Sequence, residues 1–224
     1  MTPGVDLVTG GAGFVGSELV RHLVAAGRHV VVLDDLSTGK RANLAGVEAE
    51  LVVGSILDRD VLGPLVRRAD RVFHLACLGL RRSIHDPESV HAVNATGTLA
   101  MLEAARQAKV ARFVHVSSSE VYGATQGAAI DESHPTFPTT PYGASKLAGE
   151  AYARAYAQTY ELPVTIVRPF NGYGPRAHHE GDSGEVIPRF LLRAASGHPL
   201  VVFGDGAQTR DFTHVSDLAH GIRL

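Results

Sequence analysis

Thr9-Gly10-Gly11-Ala12-Gly13-Phe14-Val15-Gly16 separates an apolar run, Val5 to Thr9, from a stretch with apolar residues at helical spacing, Phe14 to Ala26. Gly10, Gly13 and Gly16 recur every third residue. Such a set gives a tight turn, a close backbone approach to a pyrophosphate and close helix–strand packing. The phosphates would rest on free N–H groups and the positive dipole of the helix N-terminus. The same spacing also serves a plain tight turn. The strand–turn–helix context and Asp34, which closes the next apolar run (His29 to Leu33), point to a dinucleotide. A carboxylate there accepts hydrogen bonds from the adenosine ribose hydroxyls and repels a 2′-phosphate, so NAD is expected rather than NADP. The alternative for Asp34 is a cap or turn residue.

Outward from this loop the alternation continues. Glu50 to Gly54, Arg71 to Ala76, Arg112 to Ser117 and Pro163 to Arg168 read as strands. Ile56 to Arg68, Ser89 to Lys109 and Tyr142 to Tyr160 read as helices. Apolar strands without clean alternation, separated by helices, predict an α/β fold with a doubly wound parallel (Rossmann) sheet. From Asn171 glycine and proline break the pattern until a helix begins near Ser216, so the expected division is 1–170 and 171–224.

Composition agrees. The 224 residues are 45% apolar and 20% charged, an ordinary globular balance with enough apolar mass for a core. Lys and Arg number 21 against 23 Asp and Glu, which disfavours nucleic-acid binding. The single cysteine, Cys77, excludes an internal disulfide framework. No apolar run is long enough for a membrane span and no signal peptide is readable, so the expected compartment is the cytoplasm.

Tyr142-Gly143-Ala144-Ser145-Lys146 places a phenol and an ammonium four residues apart, on one helix face. A phenol titrates near pH 10, too high for a base at neutral pH; a nearby ammonium and a positive nicotinamide ring lower it. Tyr142 could then take a proton from a substrate hydroxyl as hydride leaves the same carbon. Ser117-Ser118-Ser119-Glu120 ends the fifth strand, on the edge where ligands bind in open parallel sheets, and a hydroxyl there can bond the reacting oxygen. Small hydroxyl residues that merely finish a strand are the alternative. His178-His179 with Glu180 and Asp182 is the only dense metal-type cluster, but adjacent residues in a Gly-rich loop make a poor chelate, so no metal is expected.

With these motifs the chain resembles the extended short-chain dehydrogenases/reductases, specifically NAD-dependent nucleotide-sugar epimerases and dehydratases. The likeness runs from the glycine loop through Leu33-Asp34-Asp35-Leu36-Ser37-Thr38-Gly39, His74-Leu75-Ala76, Asn94-Ala95-Thr96-Gly97-Thr98 and Tyr142/Lys146. It continues through Arg168-Pro169-Phe170-Asn171, Gly174-Pro175-Arg176 and Gln208-Thr209-Arg210-Asp211-Phe212. The resemblance implies catalytic roles for Ser118, Tyr142 and Lys146, with Glu120 as a possible second base. It implies cofactor contacts at Gly10, Gly13, Phe14, Val15, Asp34, Asp35, Ser37, Thr38, Gly39, Ser55, Ile56, Leu75, Ala76, Asn94 and Pro169, besides Tyr142 and Lys146. Substrate contacts are implied at Ser118, Ser119, Asn171, Arg176, Val186, Arg189, Phe203 and Arg210. Arg210 is the arginine expected to clamp a diphosphate.

The implied activity is inversion of C4 of a nucleotide-diphosphate sugar, a UDP-hexose or UDP-uronate, through a 4-keto intermediate. Two other readings stay open: a 4,6-dehydratase or uronate decarboxylase using Glu120, and a non-catalytic NAD-binding protein. Glucose-type dehydratases resemble Thr-Asp-Glu where this chain has Ser118-Ser119-Glu120. Gly54-Ser55-Ile56 likewise lacks the aspartate that often follows the third strand. Arg81 and Arg82 could meet a substrate carboxylate or simply face solvent. A homodimer through the two long helices is implied, and a C-terminal lobe of roughly another hundred residues is expected from family length.

Overall fold

The computed structural model describes residues 4–124, 129–181 and 184–224. Along the chain run β1 (Val5–Thr9), α1 (Phe14–Ala25), β2 (His29–Asp34), β3 (Glu50–Val53), α2 (Arg59–Arg68), β4 (Arg71–His74), α3 (Leu80–His85) and α4 (Pro87–His91). Then follow α5 (Thr98–Ala108), β5 (Arg112–Val116), α6 (Pro141–Tyr160), β6 (Val164–Val167), β7 (Asn171–Tyr173), α7 (Val186–Ala195), β8 (Phe212–His214) and α8 (Val215–Arg223). Six strands form one parallel sheet in the order β3-β2-β1-β4-β5-β6; β7 and β8 pair separately, also in parallel. Strand order reverses between β1 and β4, which opens a crevice above their C-terminal ends.

Successive residues of each strand feed opposite faces. Leu7, Leu33, Val72 and Phe113 pack with Leu62, Val66, Met101, Leu102 and Ala153 from α2, α5 and α6. Val8, Val32, Phe73 and Val114 pack with Leu19, Val20 and Leu23 of α1 and with Ala219 and Ile222 of α8. Both faces are therefore covered, which is why the strands read as continuous apolar runs. Residues 215–223 lie beyond the expected boundary at 170, yet they build the same core as α1.

Three local features differ from the sequence reading. The expected helix from Ile56 starts at Arg59, because the Asp58 carboxylate accepts from the amides of Asp60 (3.0 Å) and Val61 (3.4 Å) and caps it there. The expected Ser89–Lys109 helix is broken: a wide π-type turn over Ala92–Gly97 separates α4 from α5. Residues 186–195, within the stretch broken by glycine and proline, form the amphipathic helix α7. At the opposite end of the sheet the buried Asp6 carboxylate accepts paired bonds from Arg28 (3.0 and 2.8 Å) and Arg71 (2.8 and 2.6 Å), locking β1 to its neighbours.

Candidate active site

A cavity of about 940 Å³ lies over the C-terminal edge of the sheet. At one end stand the glycine loop and Asp34; at the other stand Ser118, Glu120, Tyr142 and Lys146. Gly10 adopts φ +71°, and a Cβ there would sit 2.8 Å from the Ala76 nitrogen. Gly16 presses against the Gly10 carbonyl so closely that no side chain fits. Helix α1 has no side-chain cap and no acidic residue in its first turn, and Phe14, Val15 and Gly16 line the cavity. Uncapped amides beside a close backbone approach form an anion seat of the kind a pyrophosphate fills.

The buried Asp34 carboxylate accepts from the Ala12 amide through Oδ2 (2.9 Å) and the Leu36 amide through Oδ1 (2.9 Å). Each oxygen keeps a second lone pair, and the side chain lines the cavity. Burial raises its pKa, and the two amides oppose that rise. Asp35 orients Ser37 through its amide (2.9 Å) and hydroxyl (2.6 Å). Gly39 lies outside the cavity wall; a Cβ there would meet Asp34 Oδ1 at 2.7 Å, so it makes room for the carboxylate. These residues fit a dinucleotide: an anion seat, a ribose acceptor and a channel between them.

At the other end α6 begins at Pro141, with the Thr140 hydroxyl accepting from the Gly143 amide at 3.0 Å. This start puts Tyr142 and Lys146 on the face turned to the sheet. Lys146 is buried and donates from Nζ to the Val116 carbonyl at 2.6 Å. Burial lowers its pKa, and the nearby Cys77 and Glu150 oppose that. Tyr142 meets the Ser118 hydroxyl. Burial pushes its phenol up, and so do Cys77, Glu120 and Glu185, against the opposing Ser118 bond. Ser118 Oγ also accepts from the Glu120 amide at 3.2 Å, which turns Glu120 into the cavity.

The wall also holds Ser55, Ile56, Leu75, Ala76, Ser119, Pro169 and Asn171. Asn94 sits behind it, buried, donating to the Leu78 carbonyl (3.0 Å) and accepting from the Leu78 amide (2.8 Å). Several expected substrate contacts are not brought in. Arg176 is held by Glu18 and by the Ser17 hydroxyl (3.1 Å) and faces a smaller cavity of about 340 Å³. Arg189 donates to the Gly181 carbonyl, and Arg210 to that of Thr209 at 2.7 Å. Val186 is exposed and Phe203 is 82% exposed. Residues 199–211 are exposed throughout, with no element packed over them among the described residues.

Sequence reasoning missed Cys77, Leu78 and Glu185, which also line the cavity. Only the position of Cys77 and Leu78 directly after β4 could have signalled them. Arg81 lines it too and donates to the Gly184 carbonyl at 2.9 Å. Among the described residues no cluster of His, Cys, Asp or Glu could hold a metal ion; Asp182 lies outside them. No helix among them is long and apolar enough to cross a membrane.

Known proteins share this fold. The UDP-glucose 4-epimerase of Mycolicibacterium smegmatis is 42% identical over 219 residues, 95% of this chain and 70% of that protein. The crystal structure of DesIV, the dTDP-glucose 4,6-dehydratase of Streptomyces venezuelae with NAD and TYD bound, matches with a TM-score of 0.91 at 40% identity. It covers 97% of this chain and 70% of that one. The UDP-N-acetylglucosamine 4-epimerase of Methanobrevibacter ruminantium in complex with UDP-N-acetylmuramic acid matches with a TM-score of 0.94 at 32% identity, covering 100% of this chain and 73% of that one. The family model described as NAD dependent epimerase/dehydratase matches residues 7–224, the span that holds both ends of the cavity. With a family model that spans nearly the whole chain and relatives of this identity, the chain belongs to the NAD dependent epimerase/dehydratase family.

Proposed function

We propose that this chain is an NAD-dependent 4-epimerase of a nucleotide-diphosphate sugar, UDP-linked, working as a homodimer in the cytoplasm. One observation carries the reading: Tyr142, Ser118 and Lys146 converge at one end of a single cavity whose other end is a dinucleotide seat. NAD, when bound, takes up hydride from the sugar carbon and gives it back. Gly10, Gly13 and Phe14 would hold its pyrophosphate, and Asp34 its adenosine ribose. Lys146 faces the reacting end as a buried cation, which favours the phenolate of Tyr142. Tyr142 withdraws the proton of the C4 hydroxyl, and Ser118 Oγ holds the same oxygen. The cavity leaves a 4-keto sugar room to turn over, and Tyr142 would return the proton to the C4 oxygen. Asn171 and the 171–224 region would supply the nucleotide end.

Elimination of water needs an acid at the leaving hydroxyl. Ser119 stands where glucose-type dehydratases resemble an aspartate, and a hydroxyl is too weak an acid for that work at neutral pH. This favours epimerisation. Glu120 in the cavity wall supports a second reading, in which it removes a C5 proton in a dehydratase or assists a decarboxylase. Incubation with NAD⁺ and a panel of UDP-, dTDP- and GDP-sugars, followed by mass spectrometry, tests the choice. An isobaric product at a new retention time is expected. Loss of water or of carbon dioxide would move the assignment to the second reading. Bound NAD with no turnover of any sugar would leave the protein non-catalytic.

A further inference from the structure

The floor of the cavity between its two ends is the segment Ala76-Cys77-Leu78. It leaves β4 as irregular chain, so its polar groups need partners from elsewhere. Behind it lies a chain of buried side chains: Thr9, His74, Thr98 and Asn94, each at most 1% exposed. Ala76 N donates to Thr9 Oγ1 (3.3 Å), and Thr9 Oγ1 meets His74 Nδ1 (2.8 Å). His74 Nε2 meets Thr98 Oγ1 (3.0 Å), and Thr98 Oγ1 donates to the Asn94 carbonyl (2.6 Å). Asn94 then clasps Leu78 through both amide atoms and donates to Ser145 Oγ (3.1 Å). Ser145 Oγ donates to the Tyr142 carbonyl at 2.7 Å.

Proton counting fixes every direction. A hydroxyl has one proton. That of Thr98 is committed to the Asn94 carbonyl, so Thr98 Oγ1 must accept from His74 Nε2–H. In a neutral ring Nδ1 is then an acceptor, so the Thr9 proton points to it and leaves a Thr9 lone pair for the Ala76 amide. Of the two neutral tautomers only Nε2–H makes all these bonds, and a doubly protonated ring would leave the Thr9 proton without its acceptor. The groups facing the ring agree: the Lys146 ammonium lies near and His115 stacks at 5.7 Å between centroids, while among the described residues no carboxylate joins the contacts around it.

We propose that His74, locked as the neutral Nε2–H tautomer, is a positioning residue. Through Thr9 it sets Ala76, and through Thr98 and Asn94 it sets Leu78 and the first turn of α6, which carries Tyr142. One link thus couples the strand leading into the cofactor loop to the catalytic helix. The role rests on the cofactor-binding reading above.

Two measurements test it without turnover. Long-range ¹H–¹⁵N spectra of the unliganded chain should show His74 protonated on Nε2 alone from pH 5 to 8. A ring protonated on Nδ1, or on both nitrogens, overturns the proposal. Thr98→Val keeps the shape and removes the acceptor; Thr98→Ser keeps it. Thr98→Val should weaken NAD⁺ binding by about tenfold and speed amide exchange at Leu78, and Thr98→Ser should restore both to within about twofold. Equal behaviour of Val and parent, or of Ser and Val, overturns it. A parent chain that binds no NAD⁺ defeats the cofactor reading instead, and the ring spectrum with Leu78 exchange still decides this one.

Discussion

The proposed chemistry depends on Tyr142, and the surroundings of its phenol oppose ionisation when no ligand is present. Burial comes first, and Cys77, Glu120 and Glu185 add to it. The phenol therefore titrates above its ordinary value near 10. In the unliganded chain the tyrosinate absorbance near 295 nm should show no contribution from Tyr142 at pH 10, by difference from Tyr142→Phe. A normal titration would mean that the phenol is more open to water than the fold shows. Tyr142→Phe should also lower turnover by about 10²–10⁴-fold, the usual share of a general acid–base group. Glu120 separates the two chemical readings at the same scale. It faces the cavity, but epimerisation at C4 asks no proton transfer of it. Glu120→Gln should therefore change the rate of an epimerase by less than about tenfold, whereas an eliminating enzyme would lose about 10²–10⁴-fold. Progress curves with the sugar that turns over decide between them.

The elements that present these residues are held by buried polar locks as well as by apolar packing. Glu150 of α6 is fully buried and accepts two bonds from Arg168 (2.8 and 2.7 Å) and one from Arg154 (3.0 Å). Burial alone would raise its pKa, but the two guanidinium groups outweigh it and hold the carboxylate ionised. Arg168 also donates to the Tyr122 hydroxyl at 2.9 Å, so α6, the end of β6 and the serine turn move as one piece. Two histidines behind Lys146 behave oppositely to such a lock. Burial and then the Lys146 charge lower His74 to about 3 and His115 well below its usual value. Among the described residues neither ring nitrogen of His115 has a partner. As pH falls below about 6.5 the unfolded chain protonates both rings and the folded chain does not. Stability is thus full above that pH and is lost towards pH 3, by about 1.4 kcal/mol per pH unit for each ring. His115→Leu should flatten this loss by about half, read from urea unfolding at pH 5 and pH 7.5. An unchanged slope would show that His115 is already solvated in the folded chain.

Across the whole molecule, local signals were legible and distant ones were not. Glycines at 10, 13 and 16, Asp34 and the Tyr142–Lys146 spacing each encode their geometry within a few residues, and the strands were readable because both faces of the sheet are covered. Asp6 looked like one more strand residue, since its partners Arg28 and Arg71 meet it only after folding. The wide turn at Ala92–Gly97 has no spacing signature, because apolar residues continue through it. Glycine and proline hide the order of residues 186–212: α7 forms there, while Phe203 and Arg210 remain exposed and do not line the cavity. Helix α8 shows most plainly how tertiary packing overrides sequence order. Val215, Ala219 and Ile222 are buried, and the latter two share a core with α1, the helix that follows the glycine loop. Ile222→Ala should then cost about 2–5 kcal/mol in chemical denaturation, as deletion of a buried branched side chain does. Because α1 leans on that residue, NAD⁺ affinity should fall with it. Phe203→Ala removes a larger side chain from a place that is 82% exposed, so it should change stability by less than about 0.5 kcal/mol. Equal costs at the two positions would mean that α8 does not belong to the nucleotide-binding core.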